Sequence, residues 1–173
     1  MKRSGAAVLA GVALAAGLAG CGGSSKAQGV VQAPSAGLTA PPAPPPVPVA
    51  LRHKPTVTVP KGPAPDHLVV KDLVKGTGAV ATKRSTVTVQ YVGVLYKTGK
   101  QFDASWNDGS GKPVQLPLSG VIPGWQQGIP GMKVGGRREL IIPPNLAYGK
   151  KGSPPKIPPN STLVFVIDLH AAS

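Results

Sequence analysis

Two stretches of alternation constrain what this chain can fold into more than anything else in it. In "STVTVQYVGVL", residues 85 to 95, one side of an extended backbone carries Val87, Val89, Tyr91, Gly93 and Leu95, and the other carries Thr86, Thr88, Gln90 and Val92. In "TLVFVIDLH", residues 162 to 170, Leu163, Phe165, Ile167 and Leu169 share a face in the same way. A period of two marks a strand with one buried face, because successive side chains leave opposite sides of the pleat. "HLVVKDLV", "RRELII" and the short "VQLPL" carry weaker strand patterns, separated by turns such as "KGTG" and "KTGK". Helical periods are confined to residues 123 to 129, where Pro123 suits a first helical turn, and to a single turn near Asn145 to Ala147. The pattern predicts an α+β domain: an antiparallel, roughly five-stranded sheet curled around one short helix. A helix lying across the concave face would bury Trp125, which stands in the uncharged stretch "VIPGWQQGIPGM", residues 121 to 132.

That domain is assigned to residues 65–173. Before it, residues 21–64 are rich in Gly, Ala, Pro and Ser, with "APPAPPPVPVA" near the centre and no sustained apolar period. Such a composition reads as a semi-rigid linker of polyproline type, about 3.1 Å per residue, with a reach on the order of 100 Å. Residues 1–20 combine the basic "MKR" with the apolar run "SGAAVLAGVALAAGLAG", the layout of an export signal. The only cysteine, Cys21, follows Leu18-Ala19-Gly20 directly, and this tetrapeptide resembles the bacterial lipobox. The resemblance implies cleavage before Cys21 and acylation at that residue. Two or more acyl chains would hold the domain to the outer face of a cell membrane. A single cysteine also excludes an intrachain disulfide and a cysteine metal cluster.

The formal net charge of +13 is unevenly placed: two positive charges lie in the leader, four in the linker, and +7 in the domain. An exported chain of this kind is not expected to bind nucleic acid, and its charge suits solvent or an anionic surface. "KGTGAVA", residues 75 to 81, contains a G-x-G-x-x-A pattern, yet a strand follows it where a dinucleotide site needs a helix. It reads as a turn. His53, His67 and His170 have no spacing that suggests a metal site or a nucleophile's base, and no cofactor is implied.

Five of the seven aromatic residues, Tyr91, Phe102, Trp125, Tyr148 and Phe165, fall on different stretches of the chain. With Asp103, Val121, Ile122 and Ile157 they suit an apolar concavity with a few polar groups, the usual form of a ligand or peptide site. They also suit a core. Three longer segments decide between the two: "VTVQYVGVLYKTGKQFDASW", "VIPGWQQGIPGMKVGGRRELIIPPNLAYG" and "KIPPNSTLVFVIDL" closely resemble the FKBP family of peptidyl-prolyl cis/trans isomerases, over nearly all of residues 66 to 170.

The resemblance implies a pocket floored by the Trp125 indole, walled by Tyr91, Phe102 and Phe165, with Val121, Ile122 and Ile157 as apolar neighbours. It implies that the Tyr148 hydroxyl and the Ile122 amide bond carbonyls of a ligand, and that Asp103 stands near the mouth, either as a structural carboxylate or with an effect on rate. At the rim, Val114 stands where many members carry an aromatic residue, and Ser153 and Lys156 replace a histidine and an apolar residue. The implied partners are proline-containing exported polypeptides and, through the same pocket, macrolide inhibitors of the family. A monomer is expected. A non-catalytic chaperone or envelope recognition module using the same pocket is the alternative. Against the chaperone form, the loop "GKKGSPPK" after Tyr148 is too short to hold an inserted lobe.

Overall fold

The computed structural model describes residues 48–107 and 109–173. The leader, Cys21 and the linker up to residue 47 lie outside the described residues. No helix among the described residues is long and apolar enough to cross a membrane.

Six antiparallel strands form one sheet: β1 (Val69–Val74), β2 (Thr86–Leu95), β3 (Gln101–Ala104), β4 (Val114–Pro117), β5 (Arg137–Ile142) and β6 (Leu163–Ala172). Their order is β1-β5-β6-β2-β3, with β4 also paired to β2. The two long strands of the sequence reading, β2 and β6, pair with each other along their length, Val87 opposite Ala172 and Leu95 opposite Leu163. The other edge of β2 is shared. Residues Thr86 to Val89 take β4, and Val92 to Val94 take β3. The strand absent from the sequence reading is β3: "QFDA" is four residues long, too short to display a period, and it forms because β4 leaves half of that edge unpaired. A register irregularity between Thr88 and Val89 bends β2 against β6, which helps curl the sheet.

The concave face carries the main core. Val87, Val89, Leu140, Ile142, Leu163, Ile167 and Leu169 pack there around Trp125 and Ile129. The helix α1 (Pro123–Gly128) begins at Pro123 as expected and holds six residues. Two glycines let it lie flush on β5. A Cβ on Gly124 would come within 2.4 Å of Ile142, and one on Gly128 within 2.7 Å of Leu140. Their spacing of four puts both on one side of the helix, the side against the sheet. Beyond Gly128, Pro130 and Gly131 turn the chain away, Gly131 at φ 85°. The end of α1 is capped from the sheet: the Arg138 Nη1 donates to the Gly128 carbonyl at 2.8 Å while its Nε donates to Asp72 at 2.6 Å. That guanidinium holds the Asp72 carboxyl below the ordinary carboxylate range.

The convex face is apolar as well, and here the structure departs from the linker reading. Val92, Val94, Ala104, Ile141 and Val164 form a second buried cluster. Residues 48–64, read from the sequence as the end of a coreless linker, lie on the folded domain. Val57 and Val59 pack against the second cluster, and Leu51 is 0 % exposed. Two hydrogen bonds fix this strap: Arg137 donates to the His53 carbonyl at 3.1 Å, and the Tyr96 hydroxyl to the Pro63 carbonyl at 3.3 Å. "KPTVTVP", residues 54 to 60, does alternate, with Val57 and Val59 half-buried and Thr56 and Thr58 exposed. The surrounding prolines masked that short signal.

Beside the strap, Arg137 grips Asp168 with two bonds of 2.5 and 2.6 Å. The Asp168 carboxyl is 0 % exposed, and burial keeps it above the ordinary carboxylate value despite that partner. Near it, the Nε2 of His170 is shut from solvent with no hydrogen-bond partner. Burial lowers the pKa of His170 from the usual 6.5; Asp168 opposes that shift and Arg137 adds to it. The unfolded chain therefore binds this proton first as pH falls, so stability declines once pH drops below about 6.5. Thermal melts from about pH 7.5 to about pH 5 are expected to fall more steeply for the natural chain than for His170→Asn. Parallel slopes would place the proton uptake on other groups.

Candidate active site

Where α1 crosses the concave face, a cavity of about 350 Å³ opens between β2, β3, the segment before α1, and Tyr148. Its floor is Trp125, 4 % exposed, which α1 presents from its third position. Two rings stand on edge to that indole: Tyr91 with centroids 5.3 Å apart at 83°, and Phe165 at 5.3 Å and 87°. Phe102 meets Phe165 in the same manner, at 5.5 Å and 87°. Edge-to-face contacts suit the ring quadrupoles and fix each plane, which leaves a box with rigid walls.

Glycine makes room for that box. Gly93 faces inward on β2 between Tyr91 and Leu95, and a Cβ there would lie 2.7 Å from both Phe102 and Phe165. The expected outcome of Gly93→Val is displacement of both phenylalanines and loss of most isomerase activity, about tenfold or more in kcat/KM. Wild-type turnover by this variant in a peptide assay would show that the Phe102 and Phe165 walls contribute nothing to the reaction.

Polar groups are few. The Tyr91 hydroxyl donates to the Asp103 Oδ2 at 2.8 Å, and the Ala104 amide donates to Oδ1 at 2.9 Å. Burial first, and this bond second, push the Tyr91 phenol well above its ordinary value, so it stays protonated and remains a donor. Both Asp103 oxygens are thus engaged within the wall, which favours the structural of its two expected roles. Tyr148, 40 % exposed, stands at the mouth. Burial of its ring and the Asp103 charge raise its pKa too, and its hydroxyl has no hydrogen-bond partner among the described residues.

The segment before α1 supplies the remaining wall, Val121 and Ile122. Ile122 caps α1 with its carbonyl, accepting from Trp125 at 2.9 Å and Gln126 at 3.2 Å, whereas its amide has no partner among the described residues. The Gln126 side chain reaches back and donates to the Val121 carbonyl at 2.8 Å, holding this segment in place.

Eight of the nine expected pocket residues therefore meet at one cavity: Tyr91, Phe102, Asp103, Val121, Ile122, Trp125, Tyr148 and Phe165. Ile157 does not line it. It is 4 % exposed in the concave core, anchored by mutual backbone hydrogen bonds with Ser153. Leu116 and Gly120 line the cavity although the sequence reading left them out; "VQLPL" was read only as a strand, and nothing local marks Leu116 as inward. Val114 sits on β4 against the core but outside the cavity lining. A larger cleft of about 1030 Å³ lies between the strap and the β2–β3 turn. It shares no residue with the aromatic cavity and lacks its convergent rings.

A fold that curls an antiparallel sheet around one short helix, with an aromatic box between them, defines a class. The family described as FKBP-type peptidyl-prolyl cis-trans isomerase matches residues 78–170, and the chain belongs to that family. It is accordingly an enzyme that interconverts the cis and trans forms of X-Pro peptide bonds. Among its relatives, an FK506-binding protein of Streptomyces anulatus is 55% identical over 120 residues, covering 69% of this chain and 97% of the relative. A probable FK506-binding protein of Corynebacterium glutamicum is 53% identical over 120 residues, covering 69% and 99%. The crystal structure of a peptidyl-prolyl cis-trans isomerase from Pseudomonas syringae pv. tomato superposes with a TM-score of 0.57 at 35% identity, covering 72% of this chain and 86% of that one. The 120-residue matches are longer than the stretch from 65 to 173, so they run into the strap.

Proposed function

We propose that this isomerase acts on X-Pro bonds of exported polypeptides outside the cytoplasm, assisting their folding while lipid on Cys21 tethers it to the membrane. The observation that carries the catalytic part is the aromatic cavity with two donors on its rim, the Tyr148 hydroxyl and the Ile122 amide, that have no partner among the described residues. Rotation about an X-Pro amide crosses a barrier of roughly 18 to 20 kcal/mol, because resonance is lost when the bond twists. Water favours the planar, charge-separated amide. A proline ring resting on Trp125 between Tyr91, Phe102 and Phe165 carries its amide out of water, and the twisted amide gains most from that change.

The donors then orient the flanking carbonyls. If the box fits the twisted geometry better than either planar form by about 1.4 kcal/mol, the rate rises tenfold. No nucleophile or proton transfer is required. The same cavity is proposed to take a macrolide of the kind for which the relatives are named.

The test is the cis-to-trans rate of Xaa-Pro peptides with the full chain. Acceleration that falls about tenfold in Tyr148→Phe supports the site, since one hydrogen bond to a bound carbonyl is worth about 1 kcal/mol or slightly more. Rates equal to the uncatalysed reaction would leave the pocket as a binding module without turnover. For the tether, mass spectrometry of membrane-extracted protein is expected to find acyl chains on Cys21 and none after Cys21→Ser. Lipid persisting in that variant would sink the anchor.

A further inference from the structure

The wall of the cavity is electrically plain. From residue 113 to residue 132, which includes β4, the Val121–Ile122 segment and all of α1, the sequence has no charged side chain. The one carboxylate at the cavity, Asp103, already holds the Tyr91 hydroxyl and the Ala104 amide. The loop that leaves the mouth at Tyr148 is different: residues 149 to 156 carry Lys150, Lys151 and Lys156 and no acid. All three lysines are exposed, and none forms an ion pair among the described residues.

Those charges stand on a fixed loop. The Gly152 amide donates to the Tyr148 carbonyl at 3.0 Å, closing the turn that carries Lys150 and Lys151. The Gly149 carbonyl accepts from the Asn160 amide at 2.9 Å, and Ser153 and Ile157, on either side of Lys156, exchange two backbone bonds of 2.8 and 2.9 Å. With consecutive Cα atoms about 3.8 Å apart, the Cα atoms of Lys150 and Lys151 lie no more than about 8 and 11 Å from that of Tyr148. That is within or near a Debye length of the mouth, about 10 Å at 0.1 M salt.

We propose that Lys150 and Lys151 make this isomerase select substrates with acidic residues flanking the proline. The inference rests on the reading that the proline ring enters the aromatic cavity, because only then do the neighbouring residues of the substrate pass the lysine loop. The lysines touch neither the ring nor the twisting amide. Their effect is long-range attraction to the bound segment, so it appears in KM and weakens with salt.

The experiment compares three Xaa-Pro peptides that differ only two residues from the proline, carrying Glu, Gln or Lys, with the full chain at about 10 mM and about 500 mM salt. At low salt kcat/KM is expected to be about fivefold higher for Glu than for Gln and lower still for Lys, with the differences in KM, and to converge at high salt. In Lys150→Glu/Lys151→Glu the order is expected to reverse, which a loss of loop structure would not produce. Equal turnover of all three peptides at low salt overturns the proposal and leaves the cavity reading intact. A Glu preference that survives in the charge-reversed variant also overturns it. No acceleration of any peptide refutes the cavity reading and the proposal together.

Discussion

Deleting residues 48–64 lowers stability by about 3 kcal/mol and makes the remaining domain self-associate, while the prolyl cavity on the opposite face of the sheet keeps its walls. The magnitude follows from what the strap covers. Leu51 is 0 % exposed and Val57 and Val59 are half-buried against Val92, Val94, Ile141 and Val164. Without the strap those side chains become a contiguous apolar patch, and patches of that kind drive association. The cost is bounded because the strap contributes no strand to the sheet: its residues 54–60 make no backbone hydrogen bonds among the described residues. It can leave without unpairing β2 or β6. Leu51→Ala is the finer probe, expected to cost about 2 to 3 kcal/mol in urea denaturation. Tryptic cleavage after Arg52 should quicken in that variant, since its side chain is already exposed and release of the strap frees the backbone there to enter the protease. A monomeric, equally stable domain after the deletion, measured by sedimentation and urea unfolding, would show that the strap rests on the sheet without supporting it.

Trp125→Ala has the largest effect on the reaction, a loss of about 100-fold in kcat/KM, with a stability cost of about 3 kcal/mol or more from the cavity left behind. The indole holds two jobs at once. It fills the space between α1 and the sheet, and it meets both Tyr91 and Phe165 on edge, so its removal leaves two walls without a support. Trp125→Leu separates the jobs. Leucine refills part of the volume and is expected to recover much of the stability, as read by thermal melts, yet it cannot offer a flat floor to a proline ring. Recovery of full activity in Trp125→Leu would show that the site needs bulk there and not a planar surface.

The strands with long alternating runs were legible because burial of one face imposes the period directly: β2 and β6 were read nearly to their ends. The short helix was legible through Pro123 at its start. β3 was not, because four residues hold too little of a period and the strand exists only where β4 leaves part of β2 unpaired. The strap was hidden for a different reason. Its alternation spans only Thr56 to Val59 inside a proline-rich stretch, and its docking surface is the convex face of strands far away in the chain. The role of Arg138 was equally invisible, since a charged residue in "RRELII" gives no local sign that it will cap a helix ending at Gly128.

For the site, residue types and order along the chain already named the aromatic box, and the family resemblance assigned its parts. Periodicity, composition and motif order are properties of the chain alone, so they determined the two-faced strands, the single short helix and the set of rings available for a pocket. Which rings meet, that Ile157 turns into the core while Leu116 takes a place on the wall, that Asp103 is spent on Tyr91, and that residues 48–64 close the convex face were decided only by the tertiary structure. Each depends on distances between segments remote in sequence, set by how the curled sheet packs on both faces, and no local pattern of side chains contains them.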